Sequence, residues 1–177
     1  MVCLQTYPYI YYAMALTTSS GFPYYISLVG SADYRQLFLS DDNLKFLSCV
    51  TDAQAEYRYA PGKWSIKQIV GHIADHERIM AYRILRFSRK DPTPLPTYDQ
   101  DLFVVNSRFN EISYEDILDD FKNVRRATIS LMNSLSADQL QLKGIASNTE
   151  LTVEEALKAT IGHEIHHVNV IKERYLK

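Results

Sequence analysis

The segment Ile161-Gly162-His163-Glu164-Ile165-His166-His167-Val168 holds three of the five histidines of the 177-residue chain. The other two lie in Gly71-His72-Ile73-Ala74-Asp75-His76-Glu77. Each segment contains a histidine pair at positions i and i+4, a spacing that places two imidazoles on the same face of a helix. Two such helices packed against each other would bring three or four neutral nitrogen ligands to one point. The pattern therefore predicts a metal site between two helices.

The length and composition are those of an ordinary soluble globular protein with a single domain. Hydrophobic residues make up 46% of the chain, charged residues 23%, and the formal net charge is only −2. This balance argues against nucleic acid or an anionic membrane surface as a partner. The two cysteines, Cys3 and Cys49, are too few for a disulfide framework, so we expect a reducing, cytoplasmic setting.

The first 23 residues are predicted to form an aromatic N-terminal extension, and residues 24–177 the folded domain. No charged side chain occurs in residues 2–32, so the cationic region of a secretory signal is missing. The polar run Thr17–Gly21 ends the apolar stretch before it could span a bilayer. Met14 is an alternative start of translation.

Capping residues and apolar periodicity predict four helices of about twenty residues each. The first runs from about Ser31 to Val50. The others begin after the capping residues Ser65, Ser113 and Thr152 and run to about Phe87, Leu135 and Tyr175. Alternating strand patterns are not evident, and residues 143–148 read as a polar loop. The fold class is therefore predicted to be all-α, a four-helix bundle.

The longest connection follows the second helix and contains three prolines in Asp91–Pro96. Proline removes backbone donors and fixes the chain in an extended conformation, so this segment cannot be the interior of a helix. Long ordered loops in compact domains are often functional. We therefore expect this connection to form a lid over a site.

His72, His163 and His167 are the best candidates for metal ligands. An isolated histidine on a helix is usually a satisfied polar residue, but several buried side by side are costly unless a cation binds them. Three histidines with an open coordination position are typical of a catalytic site. His76 is either a fourth ligand or a pocket residue, and His166 is predicted to face solvent.

His163 to His167 also match HExxH, the zincin motif in which two histidines bind zinc and a glutamate acts as general base. A zincin needs a third ligand further along the chain. Glu173 follows too closely on the same helix to fold back onto the metal. We therefore do not expect a peptidase.

Three segments resemble the DinB-like (DinB/YfiT) superfamily: Pro61–Glu77, with Trp64 and His72, Asp99–Asp101, and Gly162–His167. The likeness extends from about Tyr24 to Tyr175. It implies an up-down-down-up four-helix bundle, often dimeric, with a divalent metal held by His72, His163 and His167. It also implies a thiol-dependent S-transferase or isomerase activity in some members. The aromatic N-terminal extension departs from the usual pattern of the family.

The first functional hypothesis is a metal-dependent S-transferase that uses a low-molecular-weight thiol and a small-molecule electrophile. We expect the metal ion in this site to be zinc or nickel, with iron or manganese as the next candidates. Asp75 and Glu164 are the candidate catalytic residues, Asp75 as a proton acceptor or ligand-orienting group and Glu164 as a base. A surface salt bridge is the alternative role for Asp75, and helix packing the alternative for Glu164.

Two other hypotheses remain open. In the first, the same ion activates water and the protein is a metal-dependent hydrolase. In the second, the protein is a non-catalytic metal-binding module linked to stress, in the form of a homodimer. A metal coordinated only by protein atoms, with His76 as the fourth ligand, would favour the non-catalytic module.

Overall fold

The computed structural model describes residues 16–176, which are mostly helical. A short 3-10 turn, Thr18–Ser20, precedes the first helix. In chain order the helices are α1 (Phe22–Val29), α2 (Tyr34–Leu39), α3 (Asp42–Ser48), α4 (Asp52–Ala55), α5 (Ile66–Ser88), α6 (Gln100–Asn106), α7 (Tyr114–Asn133), α8 (Ala137–Leu140) and α9 (Val153–Arg174). The strands β1 (Lys143–Ala146) and β2 (Thr149–Thr152) lie between α8 and α9.

The long helices begin where the capping signals predict. The side chains of Ser65 and Thr152 accept hydrogen bonds from backbone amides in the first turns of α5 and α9, and both starts are complete capping boxes. Ser113 caps α7 in the same way, with its hydroxyl accepting from the Asp116 amide. These bonds satisfy amides that have no partner within the helix. The predicted starts of these three helices are confirmed.

The first bundle helix is segmented, so the prediction of one continuous helix over residues 31–50 is wrong. Asp33 caps α2 by accepting from the Arg35 amide, and the chain is extended at Ser40 before α3 begins. Ser and Asp compete with the helical backbone through their own side-chain hydrogen bonds, which explains the breaks. The segments α2 and α3 together take the place of the predicted first bundle helix.

Two core clusters at opposite ends of the bundle show its topology. One joins residues from α2, the C-terminal parts of α5 and α7, and the N-terminal half of α9, including Phe38, Phe87, Met132 and Leu157. The other joins residues from α3, the N-terminal parts of α5 and α7, and the C-terminal half of α9, including Leu47, Ile66, Ile117 and Ile171. Helices α5 and α7 therefore run parallel, and the first segment and α9 run opposite to them. The fold is an all-α four-helix bundle with up-down-down-up topology.

The segment predicted as a polar loop at residues 143–148 instead starts a β-hairpin, and this prediction is wrong. Strands β1 and β2 pair antiparallel, with Gly144 opposite Leu151. The turn residues Ser147 and Asn148 both have positive φ, 50° and 60°, as a two-residue hairpin turn requires. Leu95, in the proline-containing connection, forms a parallel bridge to Ala146. The hairpin therefore anchors the long connection against the bundle.

The predicted N-terminal extension, residues 1–23, lies mostly outside the described residues, and its boundary stays a prediction. The described part contains the start of α1, which packs along α9. Among residues 16–176, no helix has both the length and the apolar character needed to cross a membrane.

Candidate metal centre

Helices α5 and α9 hold all five histidines, and a glycine precedes the first histidine of each group. At Gly162, an added Cβ would overlap the backbone carbonyl of Tyr25 in α1. At Gly71, it would overlap the ring of Phe109. Glycine therefore allows other parts of the chain to approach α5 and α9 closely beside His72 and His163.

His72, His163 and His167 converge on one point. Nε2 of His163 lies 3.1 Å from Nε2 of His72 and 3.1 Å from Nε2 of His167. Each of the three residues offers a ligand atom, and all these atoms lie within 4.8 Å of one another. The structure thus brings together the three residues that the sequence singles out, although His72 and His163 are 91 positions apart in the chain.

Two of the three nitrogen separations, and the chemistry of all three donors, fit a divalent metal ion. Zn–N bonds of about 2.0–2.1 Å at tetrahedral or octahedral angles separate the nitrogens by about 2.9–3.4 Å. A single proton on His163 Nε2 could serve only one of its two nitrogen neighbours, whereas a cation would satisfy all three lone pairs. The donor set, all imidazole, suits zinc, nickel or copper better than magnesium or calcium.

Burial keeps the histidines neutral, which is the form that binds metals. It lowers the pKa of His72 to about 4, an effect to which His166 adds. Burial likewise lowers the pKa values of His163 and His167 well below that of an ordinary histidine, with further contributions from neighbouring imidazoles. At neutral pH these three nitrogens need not lose a proton before they bind a cation.

His76 lies beside the triad but is not one of the three converging ligands. Its ring stacks on that of His163 with 3.7 Å between centroids, and its Nδ1 is 2.8 Å from the Tyr98 hydroxyl. His76 Nε2 and His163 Nδ1 are buried and have no hydrogen-bond partner among the described residues. His76 is therefore placed as a pocket residue, one of the two roles predicted for it.

His166 does not face solvent as predicted. Its Nδ1 lies 3.0 Å from the hydroxyl of Tyr24, and the residue is half-buried. Helix α1 covers this side of α9, and the rings of Tyr24 and Tyr25 both pack edge-on to His166. The prediction is wrong because α1 occupies a face of α9 that would be free in a bundle without it.

The two carboxylates predicted as catalytic residues are both paired with arginines. Asp75 lies 3.3 Å from Nη1 of Arg78 and is half-buried, and burial raises the pKa of its carboxyl group. Glu164 is buried, pairs with Arg125 and accepts a 2.8 Å hydrogen bond from Asn43. Neither carboxylate hydrogen-bonds to a histidine within residues 16–176.

Two cavities flank the histidines. The larger, 520 Å³, is lined by His166, His167, Trp64 and Asp101, among others. The smaller, 220 Å³, is lined by His76, His163, Tyr25, Tyr98 and Arg83, among others. Gln100, at the start of α6, lines both. Tyr98, from the long connection, and α6 thus border the site, and the role of this connection as a lid stays a prediction.

Several aromatic residues at the site were missed as site residues by sequence reasoning. The ring of Trp64 lies 4.9 Å from that of His72, and the ring of Tyr25 lies 5.1 Å from that of His163. Tyr98 holds His76. The tryptophan has a local signal, since it comes just before the cap of α5. The tyrosines have none, because their contacts depend on how distant segments pack.

Known proteins share this architecture. The structure of YfiT from Bacillus subtilis, described as "a probable metal-dependent hydrolase with an unusual four-helix bundle topology", superposes with a TM-score of 0.65. The match covers 90% of this chain and 88% of YfiT at 19% sequence identity, a level that supports the fold alone.

Similarity in sequence covers most of the chain. A protein of Oceanobacillus iheyensis named "putative metal-dependent hydrolase" is 27% identical over 128 residues, which cover 71% of this chain and 73% of the relative. The sequence profile of the DinB superfamily matches residues 39–171, a range that includes all five histidines. The chain therefore belongs to the DinB superfamily.

Proposed function

We propose that the protein is a divalent-metal-dependent hydrolase in which His72, His163 and His167 hold the ion. The observation that carries the proposal is the convergence of three Nε2 atoms beside two cavities. The names of the relatives from Oceanobacillus iheyensis and Bacillus subtilis, which describe metal-dependent hydrolases, support the same chemistry.

A divalent ion bound by these histidines supplies Lewis acidity, lowering the pKa of water and polarising a carbonyl group. Zinc and nickel suit three imidazoles best, and manganese suits them least. Three protein ligands leave at least one coordination position for water or substrate, as in other catalytic zinc sites. The rings of Trp64 and Tyr25 pack against two of the ligands and limit the access of bulk water.

His76 is the side chain best placed to move a proton. Its hydrogen bond to Tyr98 fixes the ring, and its free Nε2 is buried beside His163. A neutral imidazole held in this way can accept a proton from water or donate one to a leaving group. The arginine partners favour structural roles for both carboxylates, since Asp75 pairs with Arg78 within α5 and Glu164 with Arg125 of α7.

Thiol-dependent S-transfer is the second candidate function. A transferase must bind two substrates, and the two cavities lie on different sides of the histidines, with His167 lining one and His163 the other. The larger cavity has room for a low-molecular-weight thiol. A metal ion lowers the pKa of such a thiol, so that the reactive thiolate forms at neutral pH.

The first test is the metal content of protein purified without nickel affinity. We expect about one divalent ion per chain in the wild type. The affinity of His163→Ala for that ion should fall by more than about 100-fold, since even changes around a ligand cost 10–100-fold. His166→Ala is the matched control, because His166 lies on the same helix outside the triad, and it should keep the ion. Equal metal content in wild type and His163→Ala would reject the proposed centre.

The second test separates the two reactions. Zinc-loaded protein is assayed with p-nitrophenyl esters in the absence of thiol, and with alkyl halides or epoxides in the presence of a thiol. Ester turnover that needs no thiol and is lost in His163→Ala supports the hydrolase. Turnover of the electrophiles that strictly requires a thiol would replace it with the transferase.

A further inference from the structure

Arg83, in the C-terminal part of α5, is a buried cation without an anionic partner among the described residues. Its side chain is 3% exposed. Nη2 donates to the carbonyl oxygen of Pro96 at 2.6 Å and to the hydroxyl of Ser147 at 3.1 Å. No carboxylate among residues 16–176 forms an ion pair with it, and residues 1–15 contain neither Asp nor Glu.

A buried charge is costly unless an opposite charge compensates it. Burial lowers the pKa of Arg83, although Tyr98 opposes this effect. The guanidinium nevertheless stays charged at neutral pH, because arginine does not lose its proton in proteins. The other deeply buried arginine, Arg125, lies between two carboxylates. Among the buried arginines of residues 16–176, the missing counter-charge is thus particular to Arg83.

The surroundings of Arg83 form the smaller of the two cavities. Its wall contains further groups that can donate or accept hydrogen bonds: His76, Tyr98, Ser147 and Thr149. Its volume is 220 Å³, enough for a small organic acid group but not for a large ligand. His163 of the metal triad lines the same cavity. A group held by Arg83 would therefore lie next to the metal centre.

We infer that this cavity binds a carboxylate group of the substrate, with Arg83 as its counter-ion. The inference rests on the proposed hydrolase function and deepens it, since it names the substrate class: small esters or amides that carry a carboxylate. The planar guanidinium suits a carboxylate, and charge-assisted hydrogen bonds are strong in a buried site.

The backbone at Ser147 provides a sharp test. Ser147 has a φ of 50°, a left-handed conformation that Asp and Asn adopt more readily than other residues. Its hydroxyl already contacts Arg83. Ser147→Asp therefore places a carboxylate inside the cavity as an internal counter-ion, and Ser147→Asn is the matched neutral control.

Binding is measured by isothermal titration of zinc-loaded protein with butyrate, its neutral isostere butyramide, and inorganic phosphate. Wild type should bind butyrate at least about tenfold more tightly than butyramide, the ratio that one charged hydrogen bond produces. Ser147→Asp should lose this preference and melt at a higher temperature, whereas Ser147→Asn should prefer butyrate. If Ser147→Asp does not fold, Arg83→Met, which also removes the charge, should show the same loss.

Three results would overturn the inference. Equal affinity of wild type for butyrate and butyramide would show that no anion site exists. A preference for butyrate that survives in Ser147→Asp or Arg83→Met would place the anion elsewhere, for instance on the zinc ion. Phosphate binding that is tighter than butyrate binding and is weakened in Ser147→Asp would contradict the carboxylate assignment, because it would place phosphate on Arg83.

Failure here and failure of the proposed function are distinguishable, because the titration measures binding and not turnover. Charge-dependent binding at Arg83 in a protein that hydrolyses nothing would contradict only the hydrolase. Ester hydrolysis with no preference for carboxylates would contradict only the anion site.

Discussion

Neighbouring residues on α5 and α9 contribute to two very different buried polar clusters. Glu77 and Glu164 join Arg125 of α7 in an ionic cluster. Next to them in sequence, His76 and His163 belong to the histidine cluster, which His72 and His167 complete. Adjacent positions on the same two helices, α5 and α9, thus contribute to both clusters.

The ionic cluster is satisfied within the protein. Nη2 of Arg125 donates to Glu77 at 2.7 Å and also to Glu164, and Nε adds a 3.0 Å bond to Glu77. The guanidinium also lies over the rings of Phe38 and Phe121. Burial lowers the pKa of Arg125, but the two carboxylates outweigh this effect and raise it. No cavity or ligand is needed to explain this cluster.

The histidine cluster is not satisfied by the residues that the structure describes. Two of its buried nitrogens have no hydrogen-bond partner among the described residues, and its members line both cavities. Polar groups buried in this way cost free energy unless something binds them. The difference teaches that burial alone does not identify a functional site here. The open hydrogen-bonding capacity of the histidine cluster does.

Removing the centre of the ionic cluster should have the largest effect on stability. Arg125→Met leaves Glu77 and Glu164 buried together without a counter-charge, which should lower the free energy of unfolding by about 3–5 kcal/mol. Urea unfolding followed by circular dichroism measures this loss.

The control neutralises the whole ionic cluster. The triple variant Arg125→Met, Glu77→Gln, Glu164→Gln should recover most of the lost stability, because no buried charge then lacks a partner. If Arg125→Met alone is as stable as wild type, the ionic cluster does not hold the bundle together.

Acid should destabilise the metal-free protein through the histidine cluster. The pKa of His72 is about 4 in the folded chain and about 6.5 in an unfolded one. Below pH 6.5 His72 therefore binds a proton in the unfolded chain, whereas in the folded chain it binds one only below about pH 4. Stability falls across that window, by about 2 kcal/mol at pH 5 for His72 alone.

This pH dependence is measured by urea unfolding of chelator-treated protein at pH 7 and pH 5. In His72→Gln, one titrating group is gone, so the loss between the two pH values should be smaller by about that amount. An identical pH dependence in wild type and His72→Gln would contradict the burial of a neutral His72.

The two glycines beside the histidine cluster should differ in their tolerance of alanine. Gly162→Ala meets the backbone of Tyr25, whereas Gly71→Ala meets only the side chain of Phe109, which can move. We expect Gly162→Ala to cost about 1–2 kcal/mol more than Gly71→Ala. Because both substitutions replace glycine by alanine in a helix, the gain in helix propensity is the same, and the difference between the two variants reports the steric contact alone. Equal melting temperatures would show that α1 does not pack this closely on α9.

Removing the hydroxyl that holds His76 should have the smallest effect. Tyr98→Phe deletes the 2.8 Å bond to His76 Nδ1 and should cost about 1 kcal/mol of stability. If His76 transfers a proton, kcat should fall while the metal content stays unchanged. Phe103, whose ring lies against Tyr98, offers a control: Phe103→Leu changes the packing but keeps the hydroxyl. The same kcat in wild type and Tyr98→Phe would argue against a role for His76 in catalysis.

Structural features that depend on only a few neighbouring residues were predicted correctly from the sequence. The caps at Ser65, Ser113 and Thr152 act within one helical turn, and all three begin helices where expected. The hairpin was missed because its turn, Ser147-Asn148, lacks the glycine that usually marks such a turn. No apolar alternation marked the strands either, since Ile145 is exposed whereas Ala146 and Leu151 are buried.

The sequence by itself determined the three long helices and the histidine pairs on α5 and α9, because caps and the i, i+4 spacing act over one turn of the chain. Only the tertiary structure decided the contacts between distant segments. It placed Glu77, Arg125 and Glu164 in one ion-pair network, covered His166 with α1, and left Arg83 beside a cavity without a carboxylate. The physical reason is that an electrostatic partner is defined by distance in space, which is set only when the helices pack.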